Sequence, residues 1–269
     1  MIFKTIQLRP EDEKITLDAY IADPYKTYKR KAILVIPGGG YGGVCFDREG
    51  EPIAMAFMPY GYNAFVLKYS VSEKAVFPRP LVDASLAMQH IRAHAEEYLI
   101  DPERVFVVGF SAGGHLAASL GTFWHLDSVR EALPDMPEGM NRPTGTILCY
   151  PVLTGGPKAH KGSFYHILGT ETPSDEELDR YSIEKHIDER TSPAFIMHTA
   201  SDRVVPVENA LYTAEAMAAA HVPFELHIYP KGPHGMALAN RFTSRGQAPW
   251  EDESIAKWVS LAVEWMAKI

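Results

Sequence analysis

Apolar residues fall along this chain in two patterns. Short continuous runs, Ala32 to Ile36, Ala64 to Tyr69, Val105 to Val108, Ile147 to Val152, Ala194 to His198 and Phe224 to Tyr229, read as strands buried on both faces. Between them lie longer stretches with apolar positions every three or four residues. Pro52 to Tyr60, Leu81 to Leu99, Gly113 to Phe123, Val207 to Ala220 and Glu253 to Lys268 are predicted helices. In the second of these, Leu81, Ser85, Met88, Ile91, Ala95 and Tyr98 form one stripe; in the fourth, Leu211, Ala214 and Met217 are expected to face inward. Two further strand-like runs, Phe3 to Leu8 and Lys14 to Ala22, open the chain and are expected to pair antiparallel. Alternation of strand and helix predicts an α/β fold: a mostly parallel eight-stranded sheet with helices on both faces.

Chain length changes the picture little: 269 residues suit one α/β domain over residues 1–269. The long irregular region Leu153 to Pro193 is the exception, and a connection of that length is expected to form a small cap or a pocket wall. Inside it Ser174, with Glu177 three residues on, marks a capped helix start. Ser128 to Pro143 is a smaller excursion of the same kind. A formal net charge of −8 argues against nucleic acid and against an anionic membrane surface as partner. No apolar run is long enough to span a bilayer, and the first residues lack a basic start followed by a long apolar stretch, so a cytoplasmic location is the expectation. The two cysteines, Cys45 and Cys149, lie in or beside apolar stretches and are expected to be buried free thiols.

Candidate chemistry gathers at strand ends. Gly109-Phe110-Ser111-Ala112-Gly113 fits G-x-S-x-G, follows the run Val105 to Val108 and opens a helix. That is the setting of a nucleophile elbow, in which a serine sits on a tight turn and its neighbours two away must be tiny. Pro37-Gly38-Gly39-Gly40-Tyr41-Gly42-Gly43 follows the run Ala32 to Ile36. It matches an HGGG-type oxyanion loop with proline in place of histidine, so Gly39, Gly40 and Ala112 are the expected oxyanion-hole N–H donors. The same glycines satisfy G-x-G-x-x-G, but their strand is not the first of the fold, and a P-loop would need a Gly-Lys-Ser/Thr ending that is missing. Asp202 lies in the loop after Ala194 to His198, where an acid can orient a histidine. Glu208, in the following helix, and Asp188, before the strand, are poorer candidates. His234, framed by Gly232, Pro233 and Gly235, follows the last strand. The order Ser111, Asp202, His234 is that of α/β-hydrolases. His90 and His94 have the spacing of a helical zinc pair but lack the following glutamate, and a solvated face is expected for them.

With these residues in place the chain resembles the α/β-hydrolase superfamily, in particular small bacterial short-chain and acetylxylan esterases, relatives of the hormone-sensitive-lipase-like enzymes with little or no cap. The resemblance rests on P-G-G-G-Y, the turn Arg48-Glu49-Gly50-Glu51-Pro52, G-F-S-A-G-G-H-L-A, T-S-P-A-F-I-M-H-T, D-R-V-V-P-V-E-N-A and P-H-G. Relatives often carry two acidic residues where this chain has Ser201-Asp202, and the second would be the triad acid. What the resemblance implies is a serine esterase, cofactor-free and metal-free, acting on a small ester substrate with a short, acetyl-like acyl group, an acylated carbohydrate among the candidates. Tyr41, Tyr165 and His166 are candidate substrate-binding residues. An amidase or peptidase, and a non-catalytic hydrolase-fold receptor, are the alternative readings; a receptor would be expected to have lost a triad member or the oxyanion glycines.

Overall fold

The computed structural model describes residues 1–269, and its eight strands lie in one sheet. In chain order they are β1 (Ile2–Gln7), β2 (Thr16–Ile21), β3 (Arg30–Ile36), β4 (Tyr62–Lys68), β5 (Ile100–Phe110), β6 (Thr146–Cys149), β7 (Ala194–Thr199) and β8 (Phe224–Tyr229). The helices are α1 (Phe46–Glu49), α2 (Glu51–Phe57), α3 (Arg79–Ala93), α4 (Ala112–Thr122), α5 (Asp127–Ala132), α6 (Lys161–Leu168), α7 (Asp175–Arg180), α8 (Glu208–Ala219) and α9 (Trp258–Met266). Strand order across the sheet is β1-β2-β4-β3-β5-β6-β7-β8. The pairs β1–β2 and β2–β4 are antiparallel, and every pair from β4 to β8 is parallel.

Strand side chains leave the backbone on alternate sides, so each continuous apolar run is shared between two cores. Ala32, Leu34, Ile36, Val105 and Val107 face one side, against Leu81, Met88 and Ile91 of α3 and Leu116 and Leu120 of α4. Ile33, Val35, Phe106, Val108 and Phe110 face the other, against Ile53 and Phe57 of α2 and Trp258 and Trp265 of α9. Burying each such side chain contributes about 1.5–3 kcal/mol, so both faces of the central strands need their helices.

The structure moves several expected boundaries. α3 stops at Ala93, although Ala95 and Tyr98 remain buried; Leu99 takes φ 48° and turns the chain into β5. β6 is shorter than the run Ile147 to Val152, because Tyr150 adopts φ 38° ahead of Pro151. Leu211 is 43% exposed rather than inward-facing. Two successive steps of three residues drift about 60° each around a helix, so the stripe turns away from the buried face set by Ala210, Thr213, Ala214 and Met217. Cys149 is buried, but Cys45 is only partly so; both are free thiols. His90 and His94 are half-buried instead of solvated: their rings stack 4.0 Å apart, and His90 Nε2 lies 2.8 Å from the Tyr98 hydroxyl. Ser174 does form a capping box with Glu177 at the start of α7.

What positions the functional side chains is the sheet's C-terminal edge. The glycine loop follows β3, Ser111 follows β5, Asp202 follows β7 and His234 follows β8. β3 and β5 are neighbours, with Ile36 opposite Gly109. Helix α4 then turns back so closely that a Cβ on Gly113 would lie 2.2 Å from the Ile36 carbonyl oxygen and 2.4 Å from that of Pro37. A Cβ on Gly109 would lie 2.2 Å from the Gly113 carbonyl oxygen. These contacts are backbone to backbone and have no flexible end to give way. Gly113→Ala is therefore expected to cost about 2–4 kcal/mol of unfolding free energy or to prevent folding. Chemical denaturation checks this, and an unchanged midpoint would contradict the packing described.

Candidate active site

Ser111 caps β5 with φ 52° and ψ −118°, a backbone conformation that non-glycine residues rarely adopt. The strain is held by the surroundings: the Ser111 N–H donates to the Cys149 carbonyl at 3.1 Å, and its own carbonyl accepts from His115 and Val152 at 3.2 and 3.0 Å. The turn leaves the hydroxyl at the sheet edge, with the residue 8% exposed.

Asp202 and His234 meet this serine in an unbroken line. The His234 Nδ1–H donates to Asp202 Oδ2 at 2.7 Å, and the Ser111 hydroxyl donates to His234 Nε2 at 2.8 Å. A carboxylate only accepts, so the proton sits on Nδ1, and Nε2 is left free to take the serine proton. Asp202 is itself over-determined. Its Oδ1 accepts the N–H groups of Val204 and Val205 at 2.8 and 3.0 Å. Its Oδ2 also lies 3.5 Å from Nε2 of the fully buried His198, whose Nε2–H donates to the Val205 carbonyl at 2.9 Å. Burial alone would raise the Asp202 pKa, but the nearby His198 imidazole, the hydrogen bond from His234, the charge His234 carries when protonated and the Val205 N–H outweigh it and hold it well below the ordinary carboxylate range. The weaker acid candidates lie in other contacts: Glu208 pairs with Lys158 at 2.6 Å, and Asp188 pairs with Arg190 at 2.6 Å.

The glycine loop has its carbonyls tied down and its N–H groups left open. The Pro37 carbonyl accepts the Tyr69 hydroxyl at 2.8 Å, and the Gly38 carbonyl accepts the Cys45 N–H at 2.8 Å. The Gly39 carbonyl accepts from Gly42 and Gly43 at 3.0 and 3.1 Å. In a trans peptide the N–H points opposite the preceding carbonyl, so fixing these carbonyls fixes the N–H groups of Gly39 and Gly40. No group of the protein accepts either N–H. Ala112 opens α4, and the first N–H groups of a helix have no acceptor within it. Gly39, at φ 135°, has no room for a side chain, since a Cβ would lie 2.2 Å from the Gly43 carbonyl oxygen.

The candidate substrate-binding residues separate. His166, on α6, donates from Nδ1 to the Gly40 carbonyl at 2.9 Å and so belongs to this site. Tyr165 lines a polar cleft of about 560 Å³ with Gly155, Lys161, Glu171 and Asp175, and none of Ser111, Asp202, His234 or the glycine loop borders that cleft. Tyr41 is a correction. It is fully buried, its hydroxyl donates to His115 Nδ1 at 2.9 Å, and its ring packs edge-on against Tyr69 and Phe77. A ring in that position anchors the glycine loop to α4 and cannot touch a substrate. His115 completes the anchor by donating from Nε2 to the Tyr181 carbonyl at 2.9 Å. Burial pushes the His115 pKa down to about 4, which keeps it neutral.

Sequence reasoning missed His160, Glu49 and His198. His160 caps α6, bonds Ser163 at 2.8 Å and would lie 3.8 Å from a Cβ on Gly40. Burial, and next the neighbouring His234, lower its pKa. Glu49 is 1% exposed beneath the glycine loop.

A family model described as BD-FAE matches residues 17–217, and one described as the dienelactone hydrolase family matches residues 175–269. The chain belongs to the BD-FAE family. Among solved structures, this BD-FAE chain is similar to an acetyl ester-xyloside bifunctional hydrolase from Caldicellulosiruptor lactoaceticus. The two are 34% identical with a TM-score of 0.83, over 98% of this chain and 96% of that one. It is 43% identical to endo-1,4-beta-xylanase B of Butyrivibrio fibrisolvens over 79% of this chain and 33% of that protein. It is 31% identical to the acetylxylan esterase of Xylanibacter ruminicola over 81% of this chain and 43% of that protein. The chain thus spans between a third and a half of the length of these two curated relatives. The fold shared with the solved structure is that of the α/β-hydrolases.

The depressed Asp202 pKa makes a prediction for stability. A carboxyl whose folded pKa lies below its unfolded value stabilises the fold above that unfolded value, about 3.9, and the contribution is lost as pH falls through the folded one. The gap in unfolding free energy between the wild type and Asp202→Asn should therefore be widest near neutral pH and shrink below about pH 4. Urea titrations across that range measure it, and a gap independent of pH would contradict the assignment.

Proposed function

We propose that this chain is a serine carboxylic-ester hydrolase that removes short acyl groups, acetyl foremost, from acylated sugars of the xylan type. The single observation supporting the chemistry is the hydrogen-bonded line Asp202–His234–Ser111, ending beside backbone N–H groups that no protein atom accepts. The support for acetyl esters on xylan comes from the acetylxylan esterase and the acetyl ester-xyloside hydrolase to which the chain is similar.

In this reading Ser111 is the nucleophile, His234 the general base and Asp202 the residue that orients and stabilises the imidazole. As the Ser111 oxygen attacks the ester carbonyl, its proton passes to His234 Nε2. Negative charge then forms on the carbonyl oxygen and is met by the N–H groups of Ala112, Gly39 and Gly40. Removing one such donor typically costs about 3 kcal/mol of barrier, which is why the glycine loop is held by so many fixed carbonyls. His234 next gives its proton to the leaving alcohol, and an acyl-serine remains. A water that loses its proton to His234 attacks this ester, and collapse returns Ser111 with release of the carboxylic acid. The Leu153 to Pro193 segment serves as a pocket wall: His160 and His166, at the start of and within α6, lie against the glycine loop on the side where the acyl or sugar group must sit.

Ser111→Ala and His234→Ala are each expected to lower kcat on p-nitrophenyl acetate by about 10⁴-fold or more while the protein stays folded. Full activity in purified Ser111→Ala would remove the nucleophile assignment. For the substrate class, p-nitrophenyl esters of increasing chain length should be cleaved fastest as the acetate, and an acetylated xylo-oligosaccharide should release acetate. Preference for long acyl chains, or for an aminoacyl anilide over any ester, would overturn that part of the reading.

A further inference from the structure

Glu49 is a buried carboxyl placed between the two loops that the proposed mechanism needs in register. Its Oε2 accepts the Gly38 N–H at 2.8 Å, and its Oε1 accepts the Tyr150 hydroxyl at 3.0 Å. The Tyr150 oxygen in turn accepts the Ala237 N–H at 2.9 Å. Gly38 opens the glycine loop, and Ala237 lies three residues past His234. The Pro37–Gly38 peptide is therefore pinned at both ends, its carbonyl by the Tyr69 hydroxyl at 2.8 Å and its N–H by Glu49. The Tyr150 ring also packs against the His234 imidazole, at 5.1 Å between centroids and 72° between planes. The counter-ion beside it is Arg48, whose Nε lies 3.8 Å from Oε1, too far to hydrogen-bond, and has no hydrogen-bond partner of its own.

Both groups hydrogen-bonded to Glu49 are donors. One is a peptide N–H, and the other is a hydroxyl whose oxygen is already taken by Ala237. An ionised carboxylate answers both with acceptors. An amide answers only one: its oxygen can take the Gly38 N–H, but its NH₂ then meets the Tyr150 hydroxyl, whose proton is left without an acceptor. Burial raises the Glu49 pKa, and Arg48, the Gly38 N–H and the Tyr150 hydroxyl offset part of that rise.

We propose that Glu49 is a positioning residue that, through Gly38 and Tyr150, holds the oxyanion N–H groups and the His234 loop in register over Ser111. The proposal rests on the esterase reading above. It touches no substrate; it acts on where the charge-stabilising N–H groups point.

The test compares wild type, Glu49→Gln, Tyr150→Phe and the double variant on p-nitrophenyl acetate. It adds inhibition by trifluoroacetophenone, which forms a tetrahedral adduct on an active serine, and circular dichroism with thermal melting. Each single variant is expected to lower kcat by about ten-fold, a fraction of the loss from deleting an oxyanion donor, with KM within about two-fold. Trifluoroacetophenone affinity should weaken by a factor similar to the fall in kcat, a change that looser packing alone would not produce. The double variant should lose little beyond the worse single one, because both changes cut one clamp. Unchanged kcat in folded Glu49→Gln, or an effect confined to KM or melting temperature, overturns the proposal. If Glu49→Gln does not fold, Tyr150→Phe decides, and unchanged kcat there overturns it equally. Ser111→Ala run alongside separates the two claims: an inactive Ser111→Ala with fully active Glu49→Gln rejects the positioning role and leaves the esterase reading standing.

Discussion

The carbonyl oxygens of Ile36 and Pro37 lie where a side chain on Gly113 would begin. This backbone contact between the end of β3 and the first turn of α4 is what the rest of the site depends on. It brings the glycine loop beside Ser111, because the loop starts at Pro37 and α4 starts one residue after the serine. It also forces the serine into φ 52°, since the chain must reverse within a single residue to pass from β5 into α4. The N–H groups at the start of α4 and those of Gly39 and Gly40 are thereby placed on two converging segments. The remaining parts, on the loops after β7 and β8, reach a serine whose place was set by glycines elsewhere.

Two buried carboxyl groups serve this edge, and their environments push them in opposite directions. Asp202 receives two backbone N–H bonds and an imidazole N–H, with a second imidazole close by, and its pKa falls. Glu49 receives one N–H and one hydroxyl at greater depth, and burial prevails. In the proposed mechanism the first must remain charged while His234 gains and loses a proton. The second meets only the scaffold, so its burial is tolerated as long as both donors stay aimed at it. In the glycine loop Glu49 holds the Gly38 N–H directly, whereas the N–H groups of Gly39 and Gly40 are fixed only through the carbonyls that precede them and stay open.

The strand runs and the order of Ser111, Asp202 and His234 were legible in the sequence because their signals are local. A tight turn needs glycine two residues to either side, and each loop follows a recognisable apolar run. The supporting contacts were not legible, because they join distant positions. Tyr150 and Glu49 are 101 residues apart, and Tyr41 and His115 are 74 apart. Tyr41 was misread for that reason: a tyrosine in a glycine loop carries no local mark of whether it points to solvent or, as here, into the core. Leu211 failed differently, as three apolar residues at a fixed spacing of three drift off a helix face. His198 lies next to the end of the buried strand β7 and looks like any core histidine until its distance to Asp202 is known.

The most direct measurement for the nucleophile is covalent labelling of the purified protein with a fluorophosphonate, followed by intact-mass analysis and peptide mapping. A serine activated as described is expected to take up one phosphonyl group, on Ser111, and Ser111→Ala should take up none. No adduct on the native protein, or an adduct on another residue that persists in Ser111→Ala, would contradict Ser111 as the activated nucleophile.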